Sequence, residues 1–227
     1  MQGDIFATKG VEYLIVIAYL VLLVAMVRWL NPRATRSVGT NARRPGTLPA
    51  LWFALAGGRG YHQGHSWASD EAGDVVTVGL DDFTVRLLGA PDGFDLPAVG
   101  STLRQGERGW QVRGADRALP MLSPVDGTVV AVNDALVAAP GLAAEDPYGR
   151  GWLLKVRVPN RRAALRNLLS GDLASAWMQQ TAERLRRLSG GGLGVVMPDG
   201  GVPVQGFGRA LGPEEWETVA RECFLTD

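Results

Sequence analysis

The chain has almost no lysine and almost no cysteine. Its 227 residues include one cysteine, Cys223, and only two lysines, Lys9 and Lys155, although lysine and arginine together number 23. A single cysteine excludes an intrachain disulfide and a metal site built from cysteines alone. The formal net charge is zero, so bulk electrostatics do not favour a nucleic-acid partner. A chain of this length holds one sizeable domain, or a small domain with additions.

Residues typical of catalytic sites are also scarce. The two histidines lie close together, at positions 62 and 65, and no nucleophile is paired with a base elsewhere in the sequence. The glycine-rich run "SGGGLGVV" (189–196) is neither preceded by a Rossmann-type strand nor followed by a helix, so it does not predict a phosphate site. The sequence therefore predicts a protein that is not an enzyme.

A long uncharged run lies near the N-terminus. Residues 11–30 read "VEYLIVIAYLVLLVAMVRWL", with no charge between Tyr13 and Val27. A helix of about 20 apolar residues, rising about 1.5 Å per residue, spans the hydrocarbon core of a bilayer. Glu12 and Arg28 stand at the two ends, where a charge can reach the interface. The run predicts a transmembrane helix, and a cleaved signal peptide fits poorly because no basic run precedes it.

The flanking charges predict how this helix is oriented. Five arginines lie between residues 28 and 44, whereas the preceding side has one lysine. The positive-inside rule then predicts a single-pass protein of the inner (cytoplasmic) membrane, with its C-terminal domain in the cytoplasm. Residues 1–10 would form a short extracytoplasmic tail. Residues 31–60, with several arginines, prolines and glycines, predict a juxtamembrane linker.

Strand and turn patterns dominate the next hundred residues. The segments "DVVTVGL" (74–80), "WQVRG" (110–114), "TVVAVN" (128–133) and "GWLLKVRV" (151–158) predict strands. The segment "DDFTVRLLG" (81–89) predicts a short helix that begins at an aspartate and ends at a glycine. Short strands at this spacing are typical of a small barrel or sandwich.

The pattern changes near residue 161. Apolar residues recur at helical spacing through 161–188, with "SGDL" separating two helices. The glycine-punctuated stretch 189–211 predicts a hairpin. The segment "GPEEWETVARECFL" (212–225) predicts a closing helix with Pro213 in its first turn. Residues 171–227 are therefore predicted to form a helical and hairpin extension.

Several words of this sequence resemble a known family. They are "GHSW" (64–67), "VGLDDF" (78–83), "LLGAPDGFDLPAVGSTLRQGE" (87–107), "SPVDGTVVAVNDAL" (123–136) and "DPYGRGWLLKVRV" (146–158). In this order and spacing they resemble the H protein of the glycine cleavage system over residues 61–170. The resemblance implies an α+β, mainly β fold: a lipoyl-domain-like hybrid β-sandwich or barrel with flanking helices.

The resemblance also implies a lysine at a hairpin tip, acylated by lipoate, whose arm carries an aminomethyl group between enzymes. The stretch "VRGADRALPMLSPVDGTVVAVND" (112–134) keeps the family's length but places Asp116 at the lysine position. Arg113 and Gly114 occupy the family's glutamate and serine positions. Because no lysine lies between residues 10 and 154, no acceptor is available and we expect no lipoate. The tip, with Arg117, is predicted to be a charged contact surface or a drifted loop.

The histidines have two interpretations. His62 and His65 are spaced like a pair of metal ligands, with Asp70 and Glu71 nearby. The resemblance instead places His65 and Trp67 in a structural His-x-Trp word. We therefore predict no metal site.

Three functions remain open. The first is a membrane-anchored, non-lipoylated H-protein-like adaptor in a membrane-associated complex, with membrane oxidoreductase subunits or glycine cleavage enzymes as partners. The second is a glycine cleavage system H protein that carries an aminomethyl group in glycine decarboxylation. The third is a periplasmic adaptor of the membrane-fusion type, against which both the arginine cluster and the lack of sustained heptads argue.

Overall fold

The computed structural model describes residues 13, 15–23, 26, 52–71, 73–114, 117–188 and 203–226. The chain divides into two compact units, Met1–Thr47 and Leu48–Asp227. In the first unit, Tyr13, residues 15–23 and Met26 are helical. None of the helices described is long and apolar enough to cross a membrane. The transmembrane helix predicted over 11–30 is therefore not confirmed, and the predicted tail 1–10 lies outside the described residues.

The described part of the second unit contains nine strands, six helices and one 3-10 turn. The strands are β1 Arg59–Tyr61, β2 Ser66–Asp70, β3 Val75–Leu80, β4 Gly93–Asp95, β5 Thr102–Leu103, β6 Arg108–Gly114, β7 Arg117–Leu122, β8 Gly127–Val132 and β9 Leu154–Arg157. The helices are α1 Asp82–Leu88, α2 Asp134–Ala138, α3 Leu142–Glu145, α4 Arg161–Arg166, α5 Gly171–Leu188 and α6 Pro213–Phe224, with a 3-10 turn at Phe207–Ala210.

The strands form two antiparallel sheets. A six-stranded sheet has the order β1-β2-β3-β9-β8-β5, and a three-stranded sheet has the order β4-β6-β7. Buried apolar side chains from both sheets and from α1, α5 and α6 belong to one core cluster. The predicted class, mainly β with flanking helices, is confirmed.

Helix α1 begins and ends at the predicted residues. The Asp81 carboxylate accepts a hydrogen bond from the Thr84 backbone N–H, which caps the start of the helix. Gly89 ends it at a φ of 79°, a conformation that residues with a side chain rarely adopt. All residues of α1 except Arg86 are buried, because the helix is enclosed by the rest of the unit.

The side chain of Asn133 connects the segments "VNDAL" and "GRGWL" through hydrogen bonds. Its amide Nδ2 donates to the backbone oxygens of Arg150 at 2.8 Å and Trp152 at 2.7 Å. Its Oδ1 accepts from the Leu136 backbone N–H and caps α2. Asn133 is 4 % exposed, so these bonds are made out of solvent. The spacing of the two segments thus follows from the packing of the loop at residues 150–152 on the start of α2.

Steric crowding explains why the segment "SPVDG" ends in glycine, Gly127. A Cβ atom on Gly127 would lie 2.3 Å from the Arg157 backbone oxygen on the neighbouring strand. Real Cβ atoms do not approach so closely, so β8 and β9 pair here only because residue 127 has no side chain.

The globular unit begins earlier than the predicted residue 61. Phe53 is fully buried and its ring lies 5.0 Å from that of Phe83 in an edge-to-face contact. The Ala54 N–H donates to the Asp82 carboxylate, and strand β1 starts at Arg59. Residues 52–60 are therefore part of the core unit and not of the linker predicted over 31–60, since aromatic burial ties them to α1.

The C-terminal extension belongs to the same unit. Phe207 is 2 % exposed and Phe224 is fully buried, and both rings pack near Phe83 of α1. The closing helix α6 is confirmed, with the Glu215 carboxylate accepting from the Gly212 N–H at its start. The described part of the predicted hairpin, residues 203–211, contains a 3-10 turn and no strand, because these residues pack on the end of α1 instead of pairing with each other.

Candidate functional site at the hairpin of strands β6 and β7

The β6–β7 hairpin contains the position that the family resemblance singles out. Val112 pairs with Leu119 and Gly114 with Arg117, so residues 115 and 116 connect the two strands. Asp116 lies outside the described residues. Along the chain it immediately precedes Arg117 of the last described pair.

The first strand of the hairpin rests on the end of α1. Gly114 is buried, and a Cβ atom there would lie 3.5 Å from the Pro91 Cα and 3.6 Å from the Leu88 Cβ. These are ordinary van der Waals distances. The space at 114 therefore admits one methyl group, and a larger side chain would have to displace the segment that follows α1.

Arg113 is an exposed member of a surface ion pair. Its Nη2 lies 3.3 Å from the Asp95 Oδ1, and both side chains are more than half exposed. Asp95 is on β4, the strand that pairs with β6 on its other side. Such exposed pairs contribute at most about 1 kcal/mol to stability. Arg113 is therefore available to a partner, as the sequence predicts for the tip.

Arg117 differs from this expectation. Its guanidinium carbon lies 4.4 Å from the centre of the Trp216 ring, and its Nη2 donates to the Leu211 backbone oxygen at 3.0 Å. Among the described residues, its Nη1 is buried without an acceptor. The C-terminal extension covers this side chain, so Arg117 is less available to a partner than Arg113. Trp216 lies in the predicted closing helix, but its spacing in the sequence does not indicate a contact with the hairpin.

An open cleft of about 440 Å³ lies beside the hairpin, lined by Asp92, Arg113, Gly114, Arg117 and Ala118. None of these side chains is an amine or a thiol. A guanidinium stays protonated in proteins and serves as a hydrogen-bond donor and a cation. The described residues of the hairpin can therefore bind and orient a partner, but they offer no group that forms a stable amide with a carboxylic acid.

Lys155 lies on a different sheet from the hairpin. It is on β9, where its Nζ contacts the Glu71 carboxylate at 3.1 Å and lies 5.3 Å from the centre of the Trp152 ring. A hydrogen bond from Thr77, with a smaller contribution from Lys155, lowers the pKa of Glu71. Lys155 is thus engaged in the structure of the six-stranded sheet and does not supply the missing hairpin amine.

The two histidines have separate partners. His65 is 1 % exposed, and its Nδ1 lies 2.6 Å from the Asp81 carboxylate. Its ring stacks on Phe83 at 4.2 Å and Trp177 at 4.7 Å. The Nδ1 of His62 accepts from the Gly64 N–H, and burial, with the neighbouring His65, lowers the pKa of His62. Within the described ranges, no three potential ligands cluster around a metal position.

Curated relatives match about half of this chain over most of their own length. The glycine cleavage system H protein of Rippkaea orientalis is 37% identical over 107 residues, which are 47% of this chain and 81% of the relative. That of Thermobifida fusca is 41% identical over 106 residues, 47% of this chain and 83% of the relative. That of Carboxydothermus hydrogenoformans is 33% identical over 123 residues, 54% of this chain and 93% of the relative.

Among solved structures, a glycine cleavage system H protein from Mycobacterium marinum is similar at 32% identity and a TM-score of 0.49, over 56% of this chain and 99% of that one. Of the three functions left open by the sequence, the names of the curated relatives favour the glycine cleavage H protein. They give no support to a membrane oxidoreductase partner or to a membrane-fusion adaptor.

The family model described as Glycine cleavage H-protein matches residues 59–181. The match begins with β1, includes every strand of both sheets, and continues into α5. It covers more than half of the 227 residues. The fold is therefore the lipoyl-domain-like fold that the resemblance implied, and the chain belongs to the glycine cleavage H-protein family.

Proposed function

We propose that this protein acts in glycine decarboxylation as an H-protein-type subunit that docks on the glycine cleavage enzymes and carries no lipoate on its hairpin. Family membership and the names of the relatives support the glycine cleavage context. The pairing of Gly114 with Arg117 supports position 116 as the tip of a family hairpin. The proposal assigns no catalysis to this chain.

The chemistry of residue 116 carries the proposal. Lipoate attaches through an amide, which requires a primary amine on a flexible stem, and Asp116 has a carboxylate instead. Lys155 is held by Glu71 on another sheet, and Lys9 lies far from this segment in sequence. The domain can therefore keep a docking surface of the family while lacking the transferred group.

Two measurements test this proposal. The full-length protein, expressed with an active lipoate ligase, is expected to have the unmodified mass, and a lipoyl increment on any residue would refute the assignment. Added to a reconstituted glycine cleavage reaction that runs on a relative's lipoylated H protein, the full chain is expected to inhibit competitively. Absence of both binding and inhibition would exclude docking on these enzymes.

Restoring the amine gives a sharper test. Asp116→Lys supplies an acceptor, but Arg113 remains at the position where the family has an acidic residue. We expect poor modification of Asp116→Lys and better modification when Arg113→Glu is added. Asp116→Arg serves as the matched control, because it adds the same charge without an amine that forms a stable amide.

A second candidate function is the carrier itself, with an aminomethyl group passing through this chain. The names of the relatives favour it. It requires the protein to sustain glycine decarboxylation as the only H component. Activity under that condition would establish the carrier function and exclude the arm-free subunit.

The location is part of the same proposal. The apolar run at 11–30, with its following arginines, supports a membrane attachment that leaves the globular unit in the cytoplasm. A reporter fused after residue 227 is expected to be active only in the cytoplasm. Recovery of the full-length protein in the supernatant after membranes are pelleted would refute the attachment.

A further inference from the structure

Arg117 stands next to position 116 and is the residue that joins the hairpin tip to the C-terminal extension. Both of its contacts come from outside the family-matched range of 59–181: the Trp216 ring and the Leu211 backbone oxygen. A relative that ends with the matched region has no counterpart of either contact. The interaction is therefore specific to the additional C-terminal residues of this chain.

The Arg117 guanidinium is stabilised by this contact. Arg113, on the opposite strand, is paired with the Asp95 carboxylate, but no described carboxylate forms an ion pair with Arg117. Among the described residues, the Trp216 face and one carbonyl oxygen stabilise its guanidinium, and Nη1 is buried with no acceptor. A cation over an indole ring is favourable, most of all where water is partly excluded.

The extension that holds Arg117 is itself firmly placed. A Cβ atom on Gly208 would lie 2.6 Å from the Leu87 backbone oxygen and 3.0 Å from the Trp216 ring. The 3-10 turn is thus packed between α1 and Trp216. Further along α6, Val219 and Phe224 are fully buried. Trp216 therefore presents a fixed surface to the hairpin.

We propose that Arg117 is a positioning residue: held by Trp216 and Leu211 of the C-terminal extension, it fixes the first residues of strand β7 in the orientation in which the β6–β7 hairpin docks on the glycine cleavage enzymes. The docking role rests on the proposed function, whereas the clamp, meaning the contact of Arg117 with Trp216 and Leu211, does not. Strand β6 packs at Gly114 against the end of α1, and strand β7 is held at Arg117 by the extension. The described strand ends are held before a partner arrives, so less conformational entropy is lost on binding.

Hydrogen exchange of hairpin amides in the full-length protein tests the clamp. Arg117→Met keeps most of the aliphatic stem and removes the cation, and Trp216→Leu removes the ring. Each is expected to accelerate exchange of the amides flanking the tip about tenfold. The double variant should match Arg117→Met instead of multiplying the two effects, because both changes remove the contact between Arg117 and Trp216. Trp216→Phe, which keeps an aromatic face, is expected to restore most of the protection.

Arg113→Met is the matched control, since it removes an arginine from the same hairpin that does not contact the extension. It is expected to change the exchange by less than about threefold. Alkylation of the buried Cys223 of α6 reports whether the helix stays docked, and it should remain slow in every variant. Equal acceleration at the tip and at Cys223 would overturn the proposal, because it would mean that α6 had undocked. Unchanged tip exchange in Arg117→Met would also overturn it.

Binding to a purified glycine cleavage enzyme separates the two proposals. Arg117→Met is expected to weaken binding by about five- to tenfold, mainly through faster dissociation. If the wild-type chain does not bind these enzymes, the proposed function fails while the exchange experiment still decides the clamp. If it binds and Arg117→Met binds equally well, the positioning role fails and the proposed function stands.

Discussion

Replacing Asn133 should destabilise the globular unit by an amount that its hydrogen bonds allow us to estimate. Asn133→Ala removes the cap of α2, worth about 1 kcal/mol. It also leaves the backbone oxygens of Arg150 and Trp152 without their donor, at about 1 kcal/mol each. The expected loss is about 3 kcal/mol, or about 6–12 °C in Tm for a domain of this size. Urea denaturation of the full-length protein measures the free energy of unfolding.

Asn133→Asp tests the same reasoning from the donor side. The carboxylate keeps the capping acceptor but faces two carbonyl oxygens in a site that is 4 % exposed. We expect Asn133→Asp to be at least as destabilising as Asn133→Ala at neutral pH, with recovery on acidification because a protonated carboxyl donates one bond. Asp134→Asn, an exposed neighbour in the first turn, is the control and should change stability by less than about 0.5 kcal/mol. A loss below about 1 kcal/mol for Asn133→Ala would refute the reasoning.

Three further outcomes follow from the packing. Gly127→Ala should cost about 1–3 kcal/mol or prevent folding, because its Cβ would meet the Arg157 backbone oxygen; wild-type stability in denaturant would contradict this. Phe224→Ala should cost about 3–5 kcal/mol, measured by thermal unfolding, and a smaller loss would show that the extension is not part of the core. Burial raises the pKa of the Cys223 thiol to about 12. Native protein should therefore react slowly with iodoacetamide at pH 9, and rapid alkylation of native protein would contradict the burial. The contribution of this thiol to stability is lost as the pH rises from its pKa in the unfolded state toward its pKa in the folded state.

Local elements could be read from the sequence because their signals are local. Helix α1 begins after Asp81 and ends at Gly89, where the capping residues predicted it, and α6 begins with Pro213 as expected. The strands β3 and β9 lie within the predicted segments, and β8 begins one residue before its predicted segment. Capping, turn chemistry and β-branched runs act over a few residues, so a single sequence contains the information.

The boundary of the domain could not be found in this way. Phe53 stands in a stretch rich in glycine and followed by turns, which is typical of a linker. It is fully buried because Phe83, thirty residues later, provides a ring for it to pack against. Contacts between distant segments leave no periodic signal on either of them.

The candidate site also has features that the sequence determines and features that only the tertiary structure decides. The sequence alone determined that position 116 is an aspartate, that no lysine lies between residues 10 and 154, and therefore that the hairpin has no acceptor for an amide-linked arm. That conclusion needs only the identity of the side chains and the chemistry of an amine. The tertiary structure decided which arginine of the tip is available: Arg113 is exposed beside Asp95, and Arg117 is covered by Trp216, ninety-nine residues away along the chain. From the sequence, an arginine can be either an exposed charge or a residue that holds two elements together. Only the surface that packs against its guanidinium determines which of these roles it has.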